Sequence, residues 1–198
     1  MRLYIVRHGE KEEGSWFNPE LHHADPPLTE RGTEQARALC RYFAEISVGG
    51  ILVSRYVRTG QTAAFVAEQK GLAPVVDARL DEIDNGYLDS MSNKEIAEQY
   101  PDFWQVFRSF SCDVRFPGGE TGEEVKQRQD SLLNELEAKG DDMLLVTHEG
   151  WMRLLCCNVM GMPVYRRNRF RLDYCGIVEM QTDKEAGGWK MLCINRLA

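Results

Sequence analysis

His8 and His148, two of only four histidines in 198 residues, occupy matching places. His8 closes the apolar run of "LYIVRHGE" that starts at Leu3, and His148 closes that of "MLLVTHEG" from Met143. A glycine follows within two residues each time. Arg7 stands beside the first histidine, and Ser54, Arg55 and Arg58 follow a third apolar run, "GGILVS". Two arginines converging with two histidines make a poor cation site, so metal chelation is not expected. A dianionic phosphoryl group suits the set, because guanidinium forks match its oxygens bidentately. A neutral imidazole can attack phosphorus, and neighbouring arginine charge disfavours its protonation. Gly9 would let the backbone approach a ligand closely. Taken singly, each residue has a plainer reading: a hydrogen-bonded strand-end histidine, or a solvated arginine.

Elements must bring these residues together. Arg2 to Val6 reads as the first strand, and a polar loop from Gly14 to Pro27 follows it. In "LTERGTEQARALCRYFAEI" the residues Ala36, Leu39, Cys40 and Phe43 recur at helical spacing. "GGILVS" is a second strand running into a helix over "RYVRTGQTAAFVAEQ", Val75 and Val76 form a short extended piece, and "LDEIDNGYLDS" is loop. Ser92 with Glu95, and Thr121 with Glu124, are capping boxes that open helices, and Pro101 interrupts the first. Between them lie the aromatic stripe Phe103, Trp104, Phe107 and Phe110 and the turn "FPGGE". Met143 to Thr147 is a strand, "WMRLLCCNVM" a nearly all-round apolar helix, and "RFRLDY", "GIVEM" and "WKMLCIN" read as closing strands. Strands alternating with helices indicate an α/β sheet covered on both faces, with ligands gathering at the strands' carboxyl ends.

Composition narrows the partners. The net charge is -7, from 24 basic and 31 acidic residues, whereas a nucleic-acid or polybasic membrane binder would lean basic. Six cysteines lack framework spacing and read as reduced, mostly buried thiols. No apolar run approaches the ~18 residues of a membrane span, and Leu3 to Val6 is too short for a secretory leader. The expectation is a soluble cytoplasmic protein of one domain, residues 1–198, with a helical and aromatic insertion around 92–116 near the mouth of the site.

"VRHGE", "PLTERGTEQA", "SRYVRTGQTA", "LDEIDNG", "FPGGE" and "VTHEG" resemble, in order, the motifs of the histidine phosphatase superfamily in its phosphoglycerate-mutase-like branch. The resemblance implies a three-layer sandwich, a mostly parallel six-stranded mixed sheet flanked by helices. It also implies that His8 is the nucleophile that becomes phosphorylated, that Arg7 and Arg58 clamp the phosphoryl oxygens, and that His148 donates to a developing equatorial charge. Glu82, in L-x-E-x-x-x-G, matches the acid that protonates the departing oxygen; otherwise it reads as a solvated acid. Departures are visible as well. Lys11 stands where the mutases carry serine, Gly14 where they carry asparagine, and Glu149 where a glycine follows the second histidine, beside Arg153 or Arg55 as a partner.

The reading is a metal-independent phosphomonoester hydrolase, without cofactor, acting through phospho-His8 on a small phosphorylated metabolite and releasing inorganic phosphate. A phosphoglycerate-mutase-type phosphotransferase and a non-catalytic phosphate-binding module are the alternatives. Asn18, His22, His23 and Glu149 are candidate substrate contacts, with a solvated loop as the other reading for the two histidines. The aromatic stripe either packs on the core or walls the site. "YRRNRFR", with four arginines from Arg166 to Arg171, either recruits an anionic partner or forms a solvated strand face.

Overall fold

In the computed structural model, residues 1–14, 16–185 and 187–198 are described. The chain runs β1 (Arg2–Arg7), a two-residue hairpin of β2 (Phe17–Asn18) and β3 (His23–Ala24), α1 (Glu30–Phe43), β4 (Gly50–Val53), α2 (Val57–Lys70) and β5 (Val75–Val76). Two 3-10 turns, Ala78–Leu80 and Gly86–Leu88, lead to α3 (Asn93–Gln99), α4 (Pro101–Ser109) and α5 (Gly122–Lys139). Then come β6 (Met143–Thr147), α6 (Glu149–Val159), a 3-10 segment Val164–Arg169, β7 (Ile177–Thr182) and β8 (Trp189–Arg196).

The main sheet has the order β5-β4-β6-β1-β7-β8. β5, β4, β6 and β1 are mutually parallel, β7 is antiparallel to β1, and β8 reverses again. Only β7 therefore runs against the rest, and the sheet is mixed but mostly parallel, as expected. Strands buried on both faces account for the unbroken apolar runs Leu3–Val6 and Leu144–Val146. Alternation divides β1: Tyr4 and Val6 join Leu39, Phe43 and Val66 of α1 and α2, while Leu3 and Ile5 join Leu132, Leu136, Met152 and Leu155 of α5 and α6. Helices thus cover both faces.

Capping explains where several helices start. Thr29 accepts from Gly32 N–H at 2.9 Å, and both capping boxes close in both directions. Pro101 occupies the first turn of α4, where its missing N–H costs nothing, so the interruption is a helix junction. Phe103, Trp104 and Phe107 pack against the core from α4, with Phe103 and Phe107 stacked at 5.4 Å.

One expectation needs correction. "RFRLDY" is no strand. Its exposure does alternate, with Arg169 and Arg171 exposed and Leu172 buried, but two of its backbone groups bond to side chains. Leu172 O accepts from Arg7 Nη1 at 2.6 Å, and Asp173 N–H donates to Asn195 Oδ1 at 2.7 Å. Phe170 N–H donates to Arg167 O at 3.2 Å and Asp173 O accepts from Gly176 N–H at 2.9 Å, turns in place of a ladder. Gly9 serves chain packing: a Cβ there would meet Gly32 O at 2.5 Å, and one on Gly32 would meet Glu10 O at 2.0 Å. The loop after the nucleophile candidate and the start of α1 touch backbone to backbone.

Candidate active site

Register aligns the three strand ends. Arg7 pairs with Thr147 and Val53 with Val146, so His8, His148 and Ser54 emerge side by side at the carboxyl edge of β1, β6 and β4. The two imidazoles lie 5.2 Å apart, centroid to centroid, and both are buried.

His8 Nδ1 lies 2.7 Å from Gly9 O. A carbonyl can only accept, so Nδ1 carries the proton and Nε2 keeps its lone pair. Arg7 is fixed on three sides. Its Nη1 donates to Leu172 O and meets Glu149 Oε2 at 3.0 Å, and the guanidinium stacks 4.0 Å above the Tyr174 ring. Its Nε is buried without an acceptor among the described residues, as is that of Arg58.

Arg58 sits in the first turn of α2. Its Nη2 donates to His148 Nδ1 at 3.1 Å and its Nη1 faces Asp25 Oδ1 at 3.5 Å, with the Tyr56 ring 4.3 Å away. Because Arg58 can only donate, His148 Nδ1 accepts, and the Nε2 proton goes to Ser54 Oγ at 2.8 Å. Ser54 in turn meets Thr59 Oγ1 at 3.0 Å, which donates to Tyr56 O at 2.8 Å. Both nitrogens of His148 are thereby engaged by the protein, at the end of a chain of two hydroxyls.

Glu82 reaches the site through the loop after the first 3-10 turn, held by Arg128 of α5, whose Nη2 donates to Glu82 O at 3.2 Å. The carboxylate accepts from Ile83 N–H at 3.0 Å, Trp151 N–H at 2.8 Å and Gly150 N–H at 3.1 Å, capping the start of α6. A Cβ on Gly150 would come 2.7 Å from Glu82 Oε1, which explains a glycine two residues after His148. Glu149 bridges Arg7 and Arg153. Arg55 takes Asp81 instead, at 2.6 Å.

Burial, reinforced by the Arg58 charge, holds both His8 and His148 well below the usual histidine range; the Gly9 carbonyl works the other way on His8 but does not prevail. An unfolded chain binds protons on both rings as pH falls through about 6.5, and the fold resists this, so their contribution is complete above that value and is lost on acidification. Urea unfolding between pH 7.5 and 5 should show falling stability, and His148→Gln should flatten the slope. An identical slope in the variant would refute this.

The remaining candidates scatter. Asn18 donates to Asp25 Oδ2 at 3.1 Å and so touches Arg58 only indirectly. His22 is exposed on a left-handed residue, φ 58°. His23 faces Asp84 at 3.3 Å and Asp89 at 3.6 Å, tying the hairpin to the loop of Glu82. Sequence reasoning passed over Asp25, which pairs with Arg58 and accepts Val57 N–H at 3.0 Å at the start of α2. A lone aspartate in a polar loop carries no local signal of that role. It also passed over Tyr174. Lys11 lies close enough for Arg58 to depress its ionisation, after burial, and for its own charge to act on His8.

Comparison with known proteins places this arrangement. A family model described as histidine phosphatase superfamily (branch 1) matches residues 3–196. A probable phosphoglycerate mutase, GpmB, of Cronobacter sakazakii is 30% identical over 197 residues, covering 96% of this chain and 90% of that one. Among solved structures, a putative alpha-ribazole-5'-P phosphatase of Escherichia coli superposes with a TM-score of 0.82 at 24% identity, covering 99% of this chain and 96% of that one. A mycobacterial glucosyl-3-phosphoglycerate phosphatase in complex with inorganic phosphate gives 0.83 at 23% identity, covering 99% and 97%. The same mycobacterial protein has also been solved with VO3.

Proposed function

The chain belongs to the histidine phosphatase superfamily, branch 1, and from that footing we propose that it is a metal-independent phosphomonoester hydrolase acting through a phosphohistidine at His8. One observation carries the reading: His8 presents a lone pair on Nε2 beside Arg7 and Arg58, each with a buried Nε lacking an acceptor. Structural relatives whose names give phosphorylated small molecules as substrates support a small phosphorylated metabolite here.

In the first step His8 Nε2 attacks phosphorus, the P–O ester bond breaks, and the departing oxygen takes a proton from Glu82. In the second, water attacks the phosphorus of phospho-His8 and gives its proton to Glu82, and inorganic phosphate leaves. Arg7 and Arg58 hold the equatorial oxygens through both. For His148 to donate as well, Arg58 must turn from Nδ1 to the phosphoryl group and the ring must change tautomer. Ser54 and Thr59 allow it, since each hydroxyl can reverse its direction of donation. Residues 1–198 act as one domain, and the segment 92–116 walls the mouth, where Asn93, Ile96, Phe107 and Phe116 line a cleft with Glu82.

Two arginines beside the two histidines suit a phosphoryl dianion and not a cation. Full activity should survive exhaustive chelation, while vanadate should inhibit by mimicking the transferring group. Activity lost to chelator and regained only with a divalent ion would overturn the metal-independent reading. The mutase names of the curated relatives favour a second reading, phosphoryl return to the substrate. Counting free phosphate against rearranged product separates the two.

A further inference from the structure

Three consecutive residues at the start of α6 meet three parts of the site. His148 sets its ring beside His8, Gly150 N–H donates to Glu82 Oε2 at 3.1 Å, and Glu149 between them meets Arg7. Of the three, Glu149 has no place in the scheme above. Its Oε2 lies 3.0 Å from Arg7 Nη1, and its Oε1 takes Nη2 of Arg153, one turn along the same helix. A lone carboxylate beside a site read as taking a dianion would repel it. Flanked by two guanidinium groups, this one is neutralised, and what remains of its influence is geometric.

That geometry concerns the Arg7 guanidinium. The Tyr174 ring, 4.0 Å away, fixes its plane. Nη1 carries two protons; Leu172 O accepts one at 2.6 Å, and Glu149 faces the same nitrogen. With Nη1 so held, the edge left over is that of Nε and Nη2, whose parallel N–H bonds match two oxygens of one phosphoryl group. Nε is buried and without an acceptor among the described residues. We propose that Glu149 is a positioning residue for phosphoryl transfer: anchored by Arg153, it holds Nη1 of Arg7 so that the Nε–Nη2 edge is presented to the phosphoryl oxygens. The carboxylate acts through Arg7 and not on substrate. This rests on the phosphatase reading, which makes Arg7 a clamp on the transferring group.

A double-variant cycle on para-nitrophenyl phosphate tests it, with Glu149→Ala, Arg7→Ala and the pair. Glu149→Ala should lower kcat about ten- to a hundredfold, the range for losing a hydrogen bond to a charged group. KM should not rise, since a repelling charge leaves with the bond. Glu149→Gln keeps an acceptor oxygen for Nη1 and should recover most of the loss. In the Arg7→Ala background the same change to alanine should cost less than about twofold, because no guanidinium is left to orient. Removing an acid from the first turn of α6 also weakens the helix, but that effect shows in thermal melting and adds equally in both backgrounds. Vanadate binding to the same four proteins, followed by calorimetry, repeats the comparison without turnover, and Glu149→Ala should weaken it only where Arg7 is present. Full kcat in Glu149→Ala, or an equal fold-loss with and without Arg7, overturns the proposal. His8→Ala, which leaves Arg7 and Glu149 in place, reads the phosphatase assignment separately.

Discussion

His8→Ala should lower turnover of every phosphomonoester by at least about a thousandfold, because in the proposed scheme it removes the atom that bonds phosphorus. No neighbour can replace it. Cys175, whose N–H donates to Arg7 O at 3.1 Å, is a thiol beside this segment, and burial pushes it up to about 12, so it is not a thiolate at neutral pH. His148 has both nitrogens engaged by Arg58 and Ser54. In the unmodified protein, rapid quenching of a phosphorylated substrate should trap an acid-labile, base-stable label on His8. Label recovered on a cysteine or serine, or near-full activity in the variant, would defeat the covalent scheme.

Glu82→Gln should slow alkyl phosphates by roughly 10²–10⁴-fold, the range usual for general acid catalysis. A nitrophenolate departs without a proton, so phosphorylation by para-nitrophenyl phosphate should suffer far less. Dephosphorylation still needs a base, and a burst of nitrophenol followed by slow turnover is the expected trace. The three backbone N–H groups on the carboxylate complicate the variant, because an amide keeps only one acceptor oxygen for the start of α6. Thermal melting of the variant therefore belongs beside the kinetics: a cap defect moves stability and both substrates together, whereas an acid defect divides the substrates. Equal slowing of phosphorylation for both would leave Glu82 a structural cap alone.

The parts of this fold legible in the sequence are those whose cause is local. The apolar runs before His8, Ser54 and His148 announced buried strands, and both capping boxes formed as read. The unusual pairing of histidine with arginine at strand ends pointed to phosphate before any family likeness was invoked. The failures share a different cause. "RFRLDY" has the alternation of a strand, but hydrogen bonds to Arg7 and Asn195, each more than twenty residues away, claim its backbone. The arginine-rich stretch around it was weighed as a unit, although Arg167 is buried while Arg169 is solvated, a difference set by Phe107 and Phe116 from another part of the chain. Asp25 and the direction of the hydroxyl chain on His148 likewise depend on partners that only folding brings near. Glu149 was foreseen to seek an arginine, and it took Arg153 but also Arg7, leaving Arg55 to Asp81.

The pairing of β1 has a consequence for how the protein comes to life during synthesis. In the sheet β1 lies between β6 and β7, which begin at Met143 and Ile177, so the strand that leads into His8 is among the first segments translated and among the last to find its neighbours. Such distant pairing makes closure slow and all-or-none, because the intervening chain must be ordered before the contacts repay its entropy. A nascent chain that stops short of β6 carries His8 at the end of an unpaired apolar strand, next to no His148. Chaperone demand should peak in that interval, and the proposed site is complete only once β6 and β7 have been made.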